Sequence, residues 1–214
     1  MTGIFVTGTD TGVGKTLISS ALMAGFFPCA NYWKPVQTGD DDDTETVKRL
    51  AKLSQTRIQA PVYRLATPAS PHYAAEREGV LIDHRRILDT WKTMPGQWIV
   101  EGAGGLAVPL SRERLQTDLI RDLALPTLVV SATRLGTINH TLLTLRELDA
   151  QGIPCLGVVL VGEHDPSAVS GITSHTRHPI LASVPYVPLV DATFVSETGA
   201  QLKAIGPIAH AVQS

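Results

Sequence analysis

The chain has 214 residues, enough for one α/β domain over 1–214 with a sizeable core, and its 43% hydrophobic and 18% charged content is that of a globular protein. A net charge of -2 offers no basic face, so neither nucleic acid nor an acidic membrane is expected as a partner. No apolar run is long enough to span a bilayer, no signal-type core precedes the first strand, and Cys29 and Cys155 lie far apart in no metal-type spacing, so each is expected to be a buried small hydrophobe in a reducing cytoplasm.

Ile4-Phe5-Val6-Thr7 reads as a buried strand, and Ile18, Ala21, Leu22 and Gly25 recur at helical spacing. Between them runs Gly8-Thr9-Asp10-Thr11-Gly12-Val13-Gly14-Lys15-Thr16. A strand, a Gly-rich loop ending in Lys-Thr and a helix make a phosphate cradle: the glycines turn backbone N–H groups inward and the helix dipole adds positive potential. Lys15 is placed to reach the outer phosphates and the Thr16 hydroxyl to ligate Mg²⁺. Five residues separate Gly8 from Gly14, one more than in G-x-x-x-x-G-K-[ST], which marks a subfamily; the spacing does not fit the dinucleotide pattern G-x-G-x-x-G.

Gly25-Phe26-Phe27-Pro28 reads as a helix stop, and Asn31-Tyr32-Trp33-Lys34 as a second strand closed by Pro35. Ligands of open parallel sheets sit beyond the C-terminal strand ends, where Lys34 and Pro35-Val36-Gln37-Thr38-Gly39 fall, although position alone also allows a surface lysine. Asp40 to Asp43 precede a helical pattern that starts at Asp43. They can cap that helix, or one carboxylate can complete a Mg²⁺ shell, which would also relieve the repulsion of four adjacent charges.

The pattern from Gln59 to Arg64 is weak. A short helix follows Pro68 and Pro71 and carries His72, whose role stays open, and Asp83 caps another helix running to Trp91. Trp98-Ile99-Val100-Glu101 reads as a strand ending in a carboxylate, followed by the Gly-rich turn Gly102-Ala103-Gly104-Gly105. Phosphate-loop proteins use such a strand-end acid to hold or orient the metal; a plain strand end in a tight turn is the other reading. Thr127 to Ser131, Leu156 to Val161 and Ile180 to Val184 read as further strands. Gly136-Thr137-Ile138-Asn139-His140 opens an amphipathic helix, with Thr137 as N-cap and free N–H groups able to take a carboxylate. Strands and helices alternate throughout, so the expected architecture is α/β, one doubly wound, mostly parallel sheet flanked by helices.

The long loop, Lys34-Pro35-Val36-Gln37-Thr38-Gly39 and Glu101-Gly102-Ala103-Gly104-Gly105 stand in the order and spacing of the dethiobiotin synthetase family, and Ser70-Pro71-His72 and Gly136 to His140 resemble two further segments of it. The resemblance implies a Mg²⁺-dependent ligase of biotin synthesis acting on 7,8-diaminopelargonic acid, CO₂ and ATP, by way of a carbamate and its mixed anhydride with phosphate. By position it implies that Gly12, Val13, Gly14, Lys15, Thr16 and Leu17 hold the nucleotide phosphates. It assigns Lys34 and Lys15 to catalysis, and Thr16, Asp43 and Glu101 to the metal. Gly102, Ala103 and Gly104 would line the same site, Thr38 would contact the diamine, and Pro185, Tyr186 and Val187 the base. Thr137, Ile138 and Asn139 would cap the substrate carboxylate across the interface of a homodimer with composite sites. Several relatives carry an adenine-reading Asn after the strand that here ends Val159-Leu160-Val161-Gly162-Glu163, with no amide, so other nucleoside triphosphates are expected to be accepted alongside ATP. The alternative is a dimeric switch ATPase of the division and partition type; such proteins carry an extra lysine early in the loop, where this chain has Thr9, Asp10 and Thr11.

Overall fold

The computed structural model describes residues 2–26 and 28–213, the last by its backbone alone. In chain order the strands are β1 (Thr2–Gly8), β2 (Ala30–Trp33), β3 (Val36–Thr38), β4 (Ile58–Gln59), β5 (Tyr63–Leu65), β6 (Gln97–Gly105), β7 (Thr127–Ala132), β8 (Cys155–Val161) and β9 (Ile180–Val184). The helices are α1 (Lys15–Gly25), α2 (Asp43–Leu50), α3 (Pro71–Glu78), α4 (His84–Lys92), α5 (Gln116–Leu123), α6 (Thr137–Ala150), α7 (Pro166–Thr173), α8 (Ala192–Lys203) and α9 (Gly206–Gln213).

Apolar, β-branched runs with both faces covered favour a parallel sheet, and the strands pair in parallel in the order β4-β2-β6-β1-β7-β8-β9. One face packs on α1, α2, α8 and α9 through Ile18, Leu22, Val47, Leu202 and Ile208. The other packs on α3 to α7 through Ala74, Ile87, Leu119, Leu145 and Ile172. The doubly wound expectation therefore holds. Helices α1 and α8 meet at backbone distance, because a Cβ on Gly25 would stand 2.4 Å from the Gly199 carbonyl oxygen.

Several local expectations are corrected. β6 does not end at Glu101 but runs on to Gly105, which pairs with Gly8; between these two pairings β6 spends residues 102–104 where β1 spends only Thr7. The weak stretch 59–64 runs into β5, which forms a separate two-stranded parallel sheet with β3. The acidic stretch behaves as expected: α2 starts at Asp43, with Asp42 as N-cap, its carboxylate accepting from the Glu45 amide at 3.0 Å. Thr137 does not cap α6: Gly136 holds that position at φ 96°, and the threonine hydroxyl turns into the core. Cys29 is exposed and Cys155 half-buried, neither in a disulfide.

Candidate active site

The C-terminal ends of β1, β2 and β6 open into a cleft of about 820 Å³. It is lined by the phosphate loop, by Asp40, Asp41 and Asp43 of the acidic stretch, and by Pro68 to Pro71. Gly14, at φ 99° and with a built Cβ only 3.1 Å from Val161, is a position only glycine fills without strain. Val13 anchors the loop from below, in the core.

Five side chains converge. The Thr16 hydroxyl lies 2.7 Å from Asp43 Oδ1 and 3.0 Å from Glu101 Oε1. The Lys34 ammonium pairs with Asp43 Oδ2 and, at 3.2 Å, with Glu101 Oε1. Lys15 Nζ donates to its own loop at the Asp10 carbonyl, 2.9 Å away. The strand period explains the meeting: Tyr32 and Lys34 leave one face of β2 and its extension, Ile99 and Glu101 the same face of β6, and α1 covers that face.

Burial sets the electrostatics. Burial drives the Lys15 ammonium down to about 8, against the upward pull of Glu101. Burial acts on Lys34 in the same sense, but the Glu101 and Asp43 carboxylates outweigh it and hold this pKa above the ordinary lysine range. For Asp43, burial is overcome by Lys34 and by hydrogen bonds, and its pKa falls below the ordinary aspartate value. Lys34 is therefore a fixed cation, whereas the Lys15 pKa is lowered to about 8.

A hydroxyl and carboxylates are hard oxygen donors, the kind Mg²⁺ takes, and Mg²⁺ commonly uses one or two carboxylates plus water and substrate phosphates. Among the described residues no cluster of three or more His, Cys, Asp or Glu could hold a metal by itself. Thr16, Asp43 and Glu101 thus fit Mg²⁺ arriving with a polyphosphate better than a resident metal cage.

Not every expected residue reaches the cleft. Gly12, Gly14, Lys15, Thr16, Lys34, Thr38, Asp43, Glu101, Ala103 and Gly104 line it. Gly102 is buried beneath the Gln116 amide, which a Cβ there would meet at 2.7 Å, and Leu17 packs against the core on α1. Pro185, Tyr186 and Val187 follow β9, with Tyr186 73% exposed. Thr137, Ile138 and Asn139 open α6 and are not among the residues lining the cleft.

Three supporting residues escape sequence reasoning. The Tyr32 hydroxyl donates to Glu101 Oε2 at 3.0 Å, fully buried; its i, i+2 relation to Lys34 was the readable signal. Gln116 accepts from the Ala103 amide at 2.7 Å and donates to the Gly105 carbonyl at 3.0 Å, holding the irregular end of β6. Gln37 donates to the Thr38 and Asp41 carbonyls at 3.0 and 2.7 Å, folding the acidic stretch toward the site.

Comparison with known proteins agrees with this arrangement. A family model described as an AAA domain matches residues 2–193. Among curated proteins, the chain is 46% identical over 191 residues to the ATP-dependent dethiobiotin synthetase BioD of Nitrobacter hamburgensis, covering 87% of each. It is 41% identical over 206 residues to that of Sphingopyxis alaskensis, covering 94% of this chain and 96% of the relative. It also matches the biotin biosynthesis bifunctional protein BioCD of Bordetella avium at 43% identity, spanning 95% of this chain but 43% of that longer protein. Solved structures share the fold at low identity: MinD of Pyrococcus horikoshii (TM-score 0.57, 14% identical, 99% of this chain and 92% of that one) and pNOB8 ParA (TM-score 0.61, 11% identical, 99% and 98%). The converging Lys15, Thr16, Lys34, Asp43 and Glu101, together with these relatives, make this chain a member of the ATP-dependent dethiobiotin synthetase family.

Proposed function

We propose that the cleft carries out Mg²⁺- and ATP-dependent closure of the ureido ring of dethiobiotin from 7,8-diaminopelargonic acid and CO₂. What supports this is the convergence of two lysines, a hydroxyl and two carboxylates at the strand ends beside the phosphate loop. One amine of the diamine adds CO₂ as a carbamate. The carbamate oxygen attacks the γ-phosphorus of ATP and ADP leaves; the second amine attacks the activated carbonyl, and phosphate leaves as the ring closes.

A carbamate and a triphosphate are both anionic, so catalysis is mainly positioning and charge neutralisation. The Gly12–Thr16 backbone amides cradle the phosphates. Lys15 turns from the Asp10 carbonyl to the outer phosphates. Lys34, held protonated by its carboxylate neighbours, sets its charge between carbamate and γ-phosphate. Thr38, at the end of β3, positions the diamine. Asp43, Glu101 and Thr16 would hold Mg²⁺, which supplies charge neutralisation at the phosphate oxygens when bound. Pro185, Tyr186 and Val187 are proposed to meet the base.

We further propose a cytoplasmic homodimer in which residues 137–139 of one protomer cap the diamine carboxylate in the other. Residues 137–139 do not line their own cleft, and Leu135 and Leu143 near the α6 entrance are large exposed apolar side chains. Light scattering of Leu135→Asp/Leu143→Asp tests it: a monomer is expected, and an unchanged mass refutes the interface.

Phosphate release from ATP and Mg²⁺, with and without diamine and bicarbonate, tests the reaction in wild type and Lys34→Ala. Release should need both substrates and collapse in the variant. Release indifferent to the diamine would point to a switch ATPase instead.

A further inference from the structure

The phosphate loop and the entrance of α6 are separated by more than 120 residues of chain but joined by two independent links. The first is a hydroxyl cluster centred on Ser131, at the end of β7 and fully buried. Thr9 Oγ1, the first side chain of the loop, donates to Ser131 Oγ at 3.2 Å, and Thr141 Oγ1 on α6 donates to the same oxygen at 2.9 Å. Thr137 Oγ1 lies 2.9 Å from it. A serine hydroxyl has one proton and two lone pairs. With both lone pairs taken by Thr9 and Thr141, the Ser131 proton goes to Thr137, so the hub is saturated and the proton directions are fixed. The second link is on the surface, where Arg134, in the β7–α6 turn, donates to the Asp10 carboxylate at 2.8 Å.

Both links begin at the two residues that must respond when nucleotide binds. Lys15 is bonded to the Asp10 carbonyl, and reaching a phosphate turns its ammonium away from that oxygen. Asp10 and its neighbour Thr9 then relax, and these are the residues held by Arg134 and Ser131. We infer that Ser131 is a positioning residue that couples nucleotide occupancy of the phosphate loop to the first turn of α6. The inference rests on ATP binding at this loop but needs neither the dimer nor the diamine.

The test is amide hydrogen exchange of residues 138–144 in the full chain, with and without Mg²⁺ and a non-hydrolysable ATP analogue, in wild type, Ser131→Ala and the near-isosteric Thr141→Val. In wild type the analogue should slow exchange both in the loop and in the first turn of α6, the latter about fivefold, the weight of one hydrogen bond. In either variant the loop should still respond, while the α6 response is lost in Ser131→Ala and reduced in Thr141→Val. Thr141→Val removes one of the two α6 hydroxyls of the hub and leaves the Ser131–Thr137 bond, so it decides the matter if Ser131→Ala fails to fold. An α6 response undiminished in Thr141→Val, or missing from wild type whose loop does respond, overturns the coupling. A loop indifferent to the analogue overturns the ATP reading, and the coupling with it.

Discussion

Lys34 Nζ stands 3.2 Å from Glu101 Oε1, a buried ion pair bridging the ends of two neighbouring parallel strands in the floor of the cleft. Glu101 is fully buried, and its other oxygen is taken by Tyr32. Removing one member of a buried pair strands the other as an uncompensated charge. Lys34→Ala should therefore lose about 3 kcal/mol of stability, read by urea unfolding. Because the deletion leaves two carboxylates facing each other, Mg²⁺ should raise the melting temperature of the variant more than that of wild type. A variant as stable as wild type, with no added Mg²⁺ effect, would contradict the pairing.

Tyr32→Phe tests the other oxygen of Glu101. The substitution keeps the ring and its packing but leaves a buried carboxylate lone pair unmet, a cost of about 1–3 kcal/mol. Denaturant unfolding should show this loss; a neutral substitution would mean that Oε2 finds another donor.

Nucleotide affinity should depend on pH through Lys15. Its ammonium loses a proton near 8 in the free protein, because burial disfavours the charge. Phosphate binding favours the charged form and raises this pKa. Below 8 the proton is already present and affinity is flat; above 8 binding must take up a proton, so affinity falls by up to about tenfold per pH unit. Calorimetry in buffers of different ionisation enthalpy should detect that uptake at pH 9 and not at pH 7. Equal proton counts at both values would refute the assignment.

The four aspartates should separate on mutation. Asp43 touches Thr16 and Lys34, whereas Asp41 lends only its backbone carbonyl, to Gln37. Asp43→Ala is expected to raise the Mg²⁺ concentration for half-maximal turnover by about tenfold or more. Asp41→Ala should change it less than about twofold, since its side chain supports nothing in the metal set. Similar Mg²⁺ titrations for the two would dismiss Asp43 as the ligand.

Base selectivity should be weak. Val161 packs against the Gly14 turn and offers no amide to an adenine edge. Initial rates with ATP, CTP and GTP should lie within about tenfold of one another. A much larger preference for ATP would show that another group reads the base.

The sheet, the phosphate loop and Lys34 were legible because each is written locally, in apolar runs, glycine spacing and strand ends. Asp43 was legible as an acid at a helix start and Glu101 as an acid closing an apolar run, but not that both would close on Thr16 and Lys34. Tyr32, Gln116 and Ser131 went unread for a different reason: each acts through a hydrogen bond to a residue 69, 13 and 122 positions away. A Tyr in an apolar strand, a Gln opening a helix and a Ser ending a strand look like ordinary occupants. The end of β6 was misread because Gly-rich sequence usually signals a turn; Gln116 supplies the hydrogen bonds that keep this one extended. Thr137 was misread as a cap because its hydroxyl has a better partner inside.

The contact of Gly25 with Gly199 bears on how much of the chain the enzyme needs. The family match stops at residue 193, and every side chain that lines the cleft lies before it. Yet α8 is the wall against which α1 rests, backbone on backbone, and α1 carries the phosphate loop on its first turn. A chain cut after residue 193 would keep every chemical group of the site and lose the abutment that fixes Lys15 and Thr16. The tail lends no side chain to the cleft lining, but it is the keystone of the vault over which the cleft opens.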